Sequence, residues 1–172
     1  MSTHYQGSAR ERRALDSYIK LSRAAAAVEA RVNRHLGDHG LTISQFGVLE
    51  ALFHLGPLSQ GQLAAKILKS SGNLTLVVDN LVKRGLVERR RDATDRRVVK
   101  VALERAGRRL ISELFPHHVE RVVAAFASLS SQQQTDLATL CRHLGLAQQD
   151  TVGSHTLSHP PLPSTPPQEE TL

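Results

Sequence analysis

Apolar side chains recur at steps of three and four over most of residues 10–146, the spacing of helices that bury one face. The first such stretch predicts a helix over 10–36 that is ended by Gly37 and Gly40. Two further helices are predicted after residue 104, and Pro116 should kink or break the first of them. Cys141 lies on the apolar stripe of the last helix, which favours a buried hydrophobic role.

The middle of the chain predicts three short helices followed by a β-hairpin. Thr42–Gln45 and Ser59–Gln62 have the pattern of capping boxes, so each should begin a helix. The third helix, Ser70–Gly85, has apolar residues on one face and polar residues on the other. Alternating residues around a turn at 92–95 then predict the two strands of the hairpin.

The predicted fold class is mostly α with a small β-hairpin, in the form of a winged helix-turn-helix unit flanked by terminal helices. The expected parts are a dimerisation helix over 1–40, a DNA-binding unit over 41–103, further dimerisation helices over 104–147 and a disordered tail over 148–172. Because the flanking helices carry more apolar surface than the small central unit can cover, we expect them to pair with a second copy of the chain. The tail contains five of the seven prolines and shows no apolar period.

Charge is concentrated in the predicted DNA-binding unit. Residues 41–103 contain ten Lys or Arg and five acidic residues, against a net charge of +6 for the whole chain. A local excess of positive charge favours a polyanionic partner, although a solvated charged surface would have the same composition. One cysteine and no export signal or membrane-spanning run predict a cytoplasmic protein with no membrane partner. We recognise no catalytic constellation, cofactor motif or metal motif, so an enzyme is not expected.

Three segments together resemble the MarR family of bacterial transcription regulators. They are Leu41–Leu49, the helix Gly72–Gly85, and Asp95-Arg96-Arg97 ahead of Val101-Ala102-Leu103. The resemblance covers roughly residues 10–146, and its most specific part is the Asp-x-Arg of the hairpin. It implies a homodimer that binds a pseudo-palindromic operator on double-stranded DNA, usually as a repressor. It also implies that a small-molecule or oxidant signal makes the protein release the DNA. Oxidant sensing is disfavoured because the first helix has no cysteine.

The resemblance places Arg97 in the minor groove, with Asp95 holding its guanidinium; a surface ion pair across the turn is the alternative. Asn73, Leu76 and Asn80 share the polar face of the third helix, where Asn can read adenine and Leu can meet a thymine methyl. Asn73 could equally be a helix cap. The residues expected at DNA are Ser70, Ser71, Asn73, Thr75, Leu76, Asn80, Arg89, Arg91, Asp95, Arg96 and Arg97.

Further expectations concern residues near the DNA-reading face. Asp79 is expected to pair with Lys83 one turn later, rather than with a base. A ligand cavity is expected between the second helix and the dimer helices, lined by Phe46, Phe53, His54 and Phe115.

Two alternatives remain open at the level of sequence. One is a metal-responsive regulator of the same fold that uses the histidine pairs His35/His39 and His117/His118. The other is a winged helix that serves as a protein-interaction module and never touches DNA.

Overall fold

A computed structural model describes residues 4–67, 71–92 and 97–154; Ser70, Asp95 and Arg96, and the tail beyond Ser154, lie outside this description. The helices are α1 Ala9–Asn33, α2 Ile43–Leu55, α3 Gln60–Ile67, α4 Ser71–Lys83, α5 Arg105–Phe126 and α6 Ser131–Ser154. The strands are β1 Leu58–Ser59, β2 Val87–Arg91 and β3 Val99–Leu103. The chain forms two compact units that divide after Ala127, and α6 belongs to the second.

The predicted capping boxes are present. The Thr42 hydroxyl accepts from the Gln45 amide at 3.2 Å, and the Gln45 side chain accepts from the Thr42 amide at 3.0 Å. Ser59 and Gln62 make the same reciprocal pair at 3.3 and 2.9 Å. Each box satisfies two amides that the first turn would otherwise leave without partners, so α2 begins at Ile43 and α3 at Gln60.

The core of the first unit lies where α2, α3, α4, α5 and the sheet meet. It is aliphatic, since its fully buried large side chains include Leu49, Leu52, Leu63, Leu74, Leu81, Val101 and Ile111. On α4 the buried residues follow the predicted spacing of three and four. Their burial fixes the inner face of α4 and leaves its opposite face exposed.

The hairpin is part of a three-stranded antiparallel sheet of order β1-β3-β2. The predicted strands β2 and β3 pair from Val87↔Leu103 to Arg91↔Val99. Strand β1 was not expected from the sequence, and its two residues pair with Val101 and Lys100. A two-residue strand is too short to show an alternating pattern.

Three boundaries differ from expectation. First, α1 ends at Asn33, and a 3₁₀ helix, Arg34–His39, follows before Gly40 ends it in the left-handed conformation with φ 61°. Residues 34–40 are called the junction segment below. Second, Pro116 does not break α5, which continues to Phe126 because its buried residues Ile111 and Leu114 hold it against the core.

The third difference is in the last helix. It continues to Ser154, beyond residue 148, where the tail was expected to begin. Cys141 is exposed in the single chain, so its own chain does not provide the expected burial. Its neighbours Leu140 and Leu144 are exposed as well, so this stripe has no cover from its own chain in the described structure. None of the described helices combines the length and the hydrophobicity needed to cross a bilayer.

Candidate DNA-binding surface

The exposed face of α4 carries the residues predicted to read DNA. Asn73, Thr75 and Leu76 are exposed and Asn80 is half-buried, while Leu74 and Val78 on the opposite face are buried. Leu76 is 61% exposed, a high value for a leucine in the first two turns of a helix. An apolar side chain that folding leaves in water beside two asparagines suits contact with a thymine methyl.

The hairpin places cations next to this helix on two faces. Strand alternation separates Arg90 from Arg89 and Arg91, as expected for three consecutive residues. Arg90 stands directly opposite Lys100, and like charges in that position repel. Acidic neighbours offset the repulsion, since Glu88 lies 3.6 Å from Arg90 and Asp92 lies 2.5 Å from Lys100.

Arg89 forms an ion pair with α4, which is called the reading helix below because it carries the residues predicted to read DNA. Its Nη1 lies 2.7 Å from Oδ1 of Asp79, so the predicted pairing of Asp79 with Lys83 is wrong. The i,i+4 rule considers only neighbours on the helix surface, whereas β2 brings a cation to the carboxylate from another element. The ion pair connects α4 to the wing, and Arg89 therefore has a positioning contact in addition to its expected place near phosphate.

The tip of the wing is described only in part. Arg97 is exposed at the start of the segment that leads into β3. Asp95 and Arg96 lie outside the described residues, so the expected Asp95–Arg97 pair stays a prediction. Ser70 is outside them too, and Ser71 is the first residue of α4.

Arg84 is a functional candidate that sequence reasoning missed. It follows the last residue of α4, and its Nη1 and Nη2 donate to the carbonyl oxygens of Gly40 and His39 at 2.7 and 3.1 Å. A basic residue at a helix end is usually assigned to the dipole of its own helix, and partners 44 and 45 residues earlier leave no local signal.

Two histidines lie side by side where the junction segment meets α5 and α2. His35 is 6% exposed, and its Nδ1 lies 2.9 Å from the Val32 carbonyl oxygen, so Nδ1 carries the proton. The ring centroids of His35 and His118 are 5.5 Å apart, and those of Phe46 and His118 are 4.4 Å apart. His35 Nε2 and His118 Nδ1 are buried without a hydrogen-bond partner.

Burial lowers the pKa of both imidazoles. His35 lowers the pKa of His118 further; for His35, Arg121 and His39 also lower the pKa, while the bond to Val32 and the Asp38 charge raise it. The pair is therefore neutral near pH 7. Within the described ranges, no three His, Cys, Asp or Glu side chains are grouped as a metal site would require.

Two cavities adjoin the first turn of α2. One, of about 460 Å³, is lined by Ile43, Ser44, Gly47, Glu50, Ala51, His54, Leu55, Lys66 and Ile67. Of the four residues predicted for a ligand cavity, His54 lines this one. Phe53 and Phe115 are ring contacts of His54 at 5.2 and 4.6 Å, and Phe46 is buried in the core.

The second cavity, of about 540 Å³, lies between the end of α1 and the start of α2 and is lined in part by Glu29, Asn33 and Arg34. In the first cavity burial raises the pKa of Glu50, with a smaller opposing effect from His54.

Comparison with known proteins agrees with this geometry. The family model described as the MarR family matches residues 41–99, the segment that contains α2 to α4 and β2 and ends at the first residue of β3. The HTH-type transcriptional regulator MhqR of Bacillus subtilis is 34% identical over 134 residues, which cover 78% of this chain and 92% of that relative. The chain belongs to the MarR family.

Solved structures show the same fold for this MarR protein. A probable transcriptional regulator from Pseudomonas aeruginosa is 33% identical with a TM-score of 0.61, covering 72% of this chain and 92% of that one. BpsR of Bordetella bronchiseptica, whose DNA binding is regulated by 6-hydroxynicotinic acid, is 25% identical with a TM-score of 0.68, covering 84% and 98%.

Family membership confirms the predicted winged-helix class and assigns the chain to DNA-binding transcription regulators, which are not enzymes. Members of the family act as dimers, often with small-molecule effectors.

Proposed function

We propose that this MarR protein is a homodimeric repressor that binds a pseudo-palindromic operator and leaves it when a small molecule binds. Each subunit inserts α4 into a major groove and the Arg97 wing into the flanking minor groove. The observation that carries the proposal is the polar outer face of α4, with its exposed Leu76, set beside a cationic strand to which Asp79 and Arg89 bind it. Two such surfaces related by a two-fold axis match half-sites about one helical turn apart.

The dimer is supported by the apolar surface of the flanking helices. Leu21 on α1, Val119 and Val123 on α5, and Leu140 and Leu144 on α6 are exposed in the single chain. Helices that expose this much apolar surface are covered in most proteins by a partner. Because members of the family act as dimers, we expect a second copy of this chain to be that partner.

Arg97→Ala tests the wing. The variant should keep its helical content and dimeric state, yet bind its operator about 10- to 100-fold more weakly, because a minor-groove arginine supplies on the order of 1–3 kcal/mol. The operator is obtained by in vitro selection with the unaltered protein, and affinities are measured by fluorescence anisotropy. Arg90→Ala is the matched control: it removes a cation from the other face of the hairpin and should change affinity by less than about threefold.

Salt dependence separates this function from a protein-docking role. Affinity for the selected duplex should fall by orders of magnitude between about 50 and 200 mM salt, because phosphate contacts release counterions. Equal affinity for Arg97→Ala and the unaltered protein would refute the wing assignment. Absence of any selected duplex would refute the operator function itself.

The effector site is proposed in the cavity that contains His54. Its walls are mainly aliphatic, and Glu50, His54 and Lys66 supply the polar groups, so a small apolar molecule with one anionic group suits it. The BpsR likeness makes 6-hydroxynicotinic acid the first probe. Binding of this probe should raise the melting temperature of the protein and weaken the operator complex. The variants His54→Leu and Lys66→Met should each reduce both effects. A rise in melting temperature with no change in operator affinity would place the ligand at a site unconnected with DNA release.

A further inference from the structure

The contact of Arg84 with the junction segment joins two elements with different tasks. Arg84 directly follows the last residue of α4, and its two partner carbonyls, those of His39 and Gly40, end the segment that leads from α1 into the DNA-binding unit. The two hydrogen bonds of the Arg84 guanidinium connect the end of α4 to backbone carbonyl oxygens of the junction segment. This fork does not depend on any other side chain.

The chemistry favours arginine at this position. The last carbonyls of a 3₁₀ helix lack partners within the helix and carry partial negative charge. A guanidinium presents two parallel donors in a fixed plane, so it can bind both oxygens, whereas an ammonium is a point charge without that geometry. Gly40 supplies the left-handed turn, with φ 61°, that ends the segment.

The Arg84 contact is at the C-terminal end of α4, so a change there can tilt the whole helix. Core packing at Leu74, Val78 and Leu81 holds the inner face of α4, and the Arg84 fork holds its C-terminal end. A helix of this length spans roughly 20 Å, so a tilt of about 5° at that end moves the opposite end by about 2 Å. The opposite end carries Asn73 and Leu76.

We propose that Arg84 is a positioning residue that sets the separation of the two reading helices in the dimer, and thereby decides which half-site spacing is bound. The inference rests on the proposed dimeric operator binding. Arg84 acts through the carbonyls of His39 and Gly40, and so through α1, rather than through DNA. Its loss lets α4 adopt a range of positions, which weakens binding at the best spacing and weakens rejection of the others.

A direct phosphate contact is the competing role for an exposed cation at a helix end. The two roles differ in measurable ways. Loss of a phosphate contact lowers the salt slope of binding by about one and weakens all duplexes equally. Loss of a positioning contact leaves that slope unchanged and alters the ratio between spacings.

The experiment uses the full-length protein and the duplex that it selects in vitro, together with duplexes in which one or two base pairs are inserted or removed between the half-sites. For the unaltered protein a change of one base pair should cost roughly tenfold or more in affinity, because it moves and rotates one half-site relative to the other. For Arg84→Gln this cost should shrink to about threefold or less, at an unchanged salt slope. Lys83→Gln removes the same charge one residue earlier and should retain the spacing preference of the unaltered protein.

Arg84→Lys provides a second variant that retains the charge and the long side chain but loses the planar fork. It should resemble Arg84→Gln in the spacing ratio, with the unaltered salt slope. The inference is overturned if both variants keep the full spacing preference, and a salt slope reduced by about one would then assign Arg84 to phosphate. If the unaltered protein binds a single half-site as tightly as the full duplex, the dimeric operator function fails, and the role of Arg84 in spacing fails with it.

Discussion

Gly107, in the first turn of α5, lies directly against the backbone of the turn that follows α4. A Cβ at this position would lie 2.0 Å from the Leu86 carbonyl oxygen. The same oxygen accepts a bond from the Glu104 amide at 3.0 Å, so it has little freedom to move away. The first turn of α5 is thereby fixed against the turn that follows α4.

Gly107→Ala should therefore destabilise the fold by about 1–3 kcal/mol or more, since the clash involves backbone on both sides. Urea unfolding followed by circular dichroism measures the change. Gly61→Ala is the control, because a Cβ there meets nothing within 4 Å and an exposed helical glycine should gain up to about 1 kcal/mol on replacement. Equal stabilities for the two variants would contradict the close approach.

Asp79 supports a second prediction at the scale of single residues. Asp79→Asn removes a negative charge from the DNA-facing surface and frees Arg89 from its ion pair, so affinity for the selected duplex should rise at low salt. The stability change should stay within about 1 kcal/mol, because both side chains are partly exposed. Asp16→Asn, which breaks the pair with Lys20 on α1, is the control and should leave DNA affinity unchanged. A fall in affinity would mean that positioning of the wing by Asp79 matters more than the added positive charge.

At the scale of elements, the junction segment is where the sequence was least informative. The capping boxes at Thr42 and Ser59 could be found because all their atoms belong to four consecutive residues. The change from α1 to a 3₁₀ helix at Arg34 could not, since it depends on burial of His35 and Leu36 against other elements. The same reason applies to β1, whose partner is more than forty residues later.

The imidazole pair of buried His35 and half-buried His118 predicts an acid-sensitive fold. Because burial lowers the folded pKa of His35 and His118 below the unfolded value of about 6.5, the unfolded chain takes up protons first as the pH falls. Stability should be full above about pH 7, decrease as the pH falls through 6.5, and level off below the folded pKa, with at most about 1.4 kcal/mol per pH unit from each histidine. Glu50 contributes in the opposite direction, because its folded pKa is raised above 4.5 and the folded chain therefore takes up this proton first. Its contribution to stability rises as the pH falls, in a pH range below that of the histidines.

His118→Phe keeps a ring against Phe46 but cannot be protonated, so its urea midpoint should depend less on pH between about 5.5 and 7.5 than that of the unaltered protein. His117→Gln changes an exposed neighbour on the same helix and serves as the control. Identical pH profiles for His118→Phe and the unaltered protein would show that the pair contributes nothing to acid sensitivity.

At the scale of the whole molecule, sequence patterns identified the family and the apolar faces but not what covers those faces. The periodicity on α6 predicted Leu140 and Cys141 facing inward, yet both are exposed in one chain. An apolar stripe has the same spacing whether its cover comes from the same subunit or from another one. The proposed dimer supplies that cover.

Leu140→Asp should therefore shift the protein to monomer and weaken binding to a full operator, because a carboxylate would be buried at the interface. Sedimentation velocity at several concentrations measures the shift. Leu76→Ser is the matched control: the two leucines are 66% and 61% exposed, but Leu76 lies on the reading face, so its replacement should leave the dimer intact while changing sequence preference. A dimeric Leu140→Asp would show that α6 is not part of the interface.

The strand order β1-β3-β2 leaves β2 at the margin of the sheet. Strands in that position can add to the sheet of another molecule and start aggregation, and charged side chains are a common protection. Arg89, Arg90 and Arg91 on β2 provide this protection, and contact with DNA is a further proposed role of Arg89 and Arg91 only. Variants that neutralise all three to study DNA binding should be tested for self-association first, since precipitation would otherwise be mistaken for lost affinity.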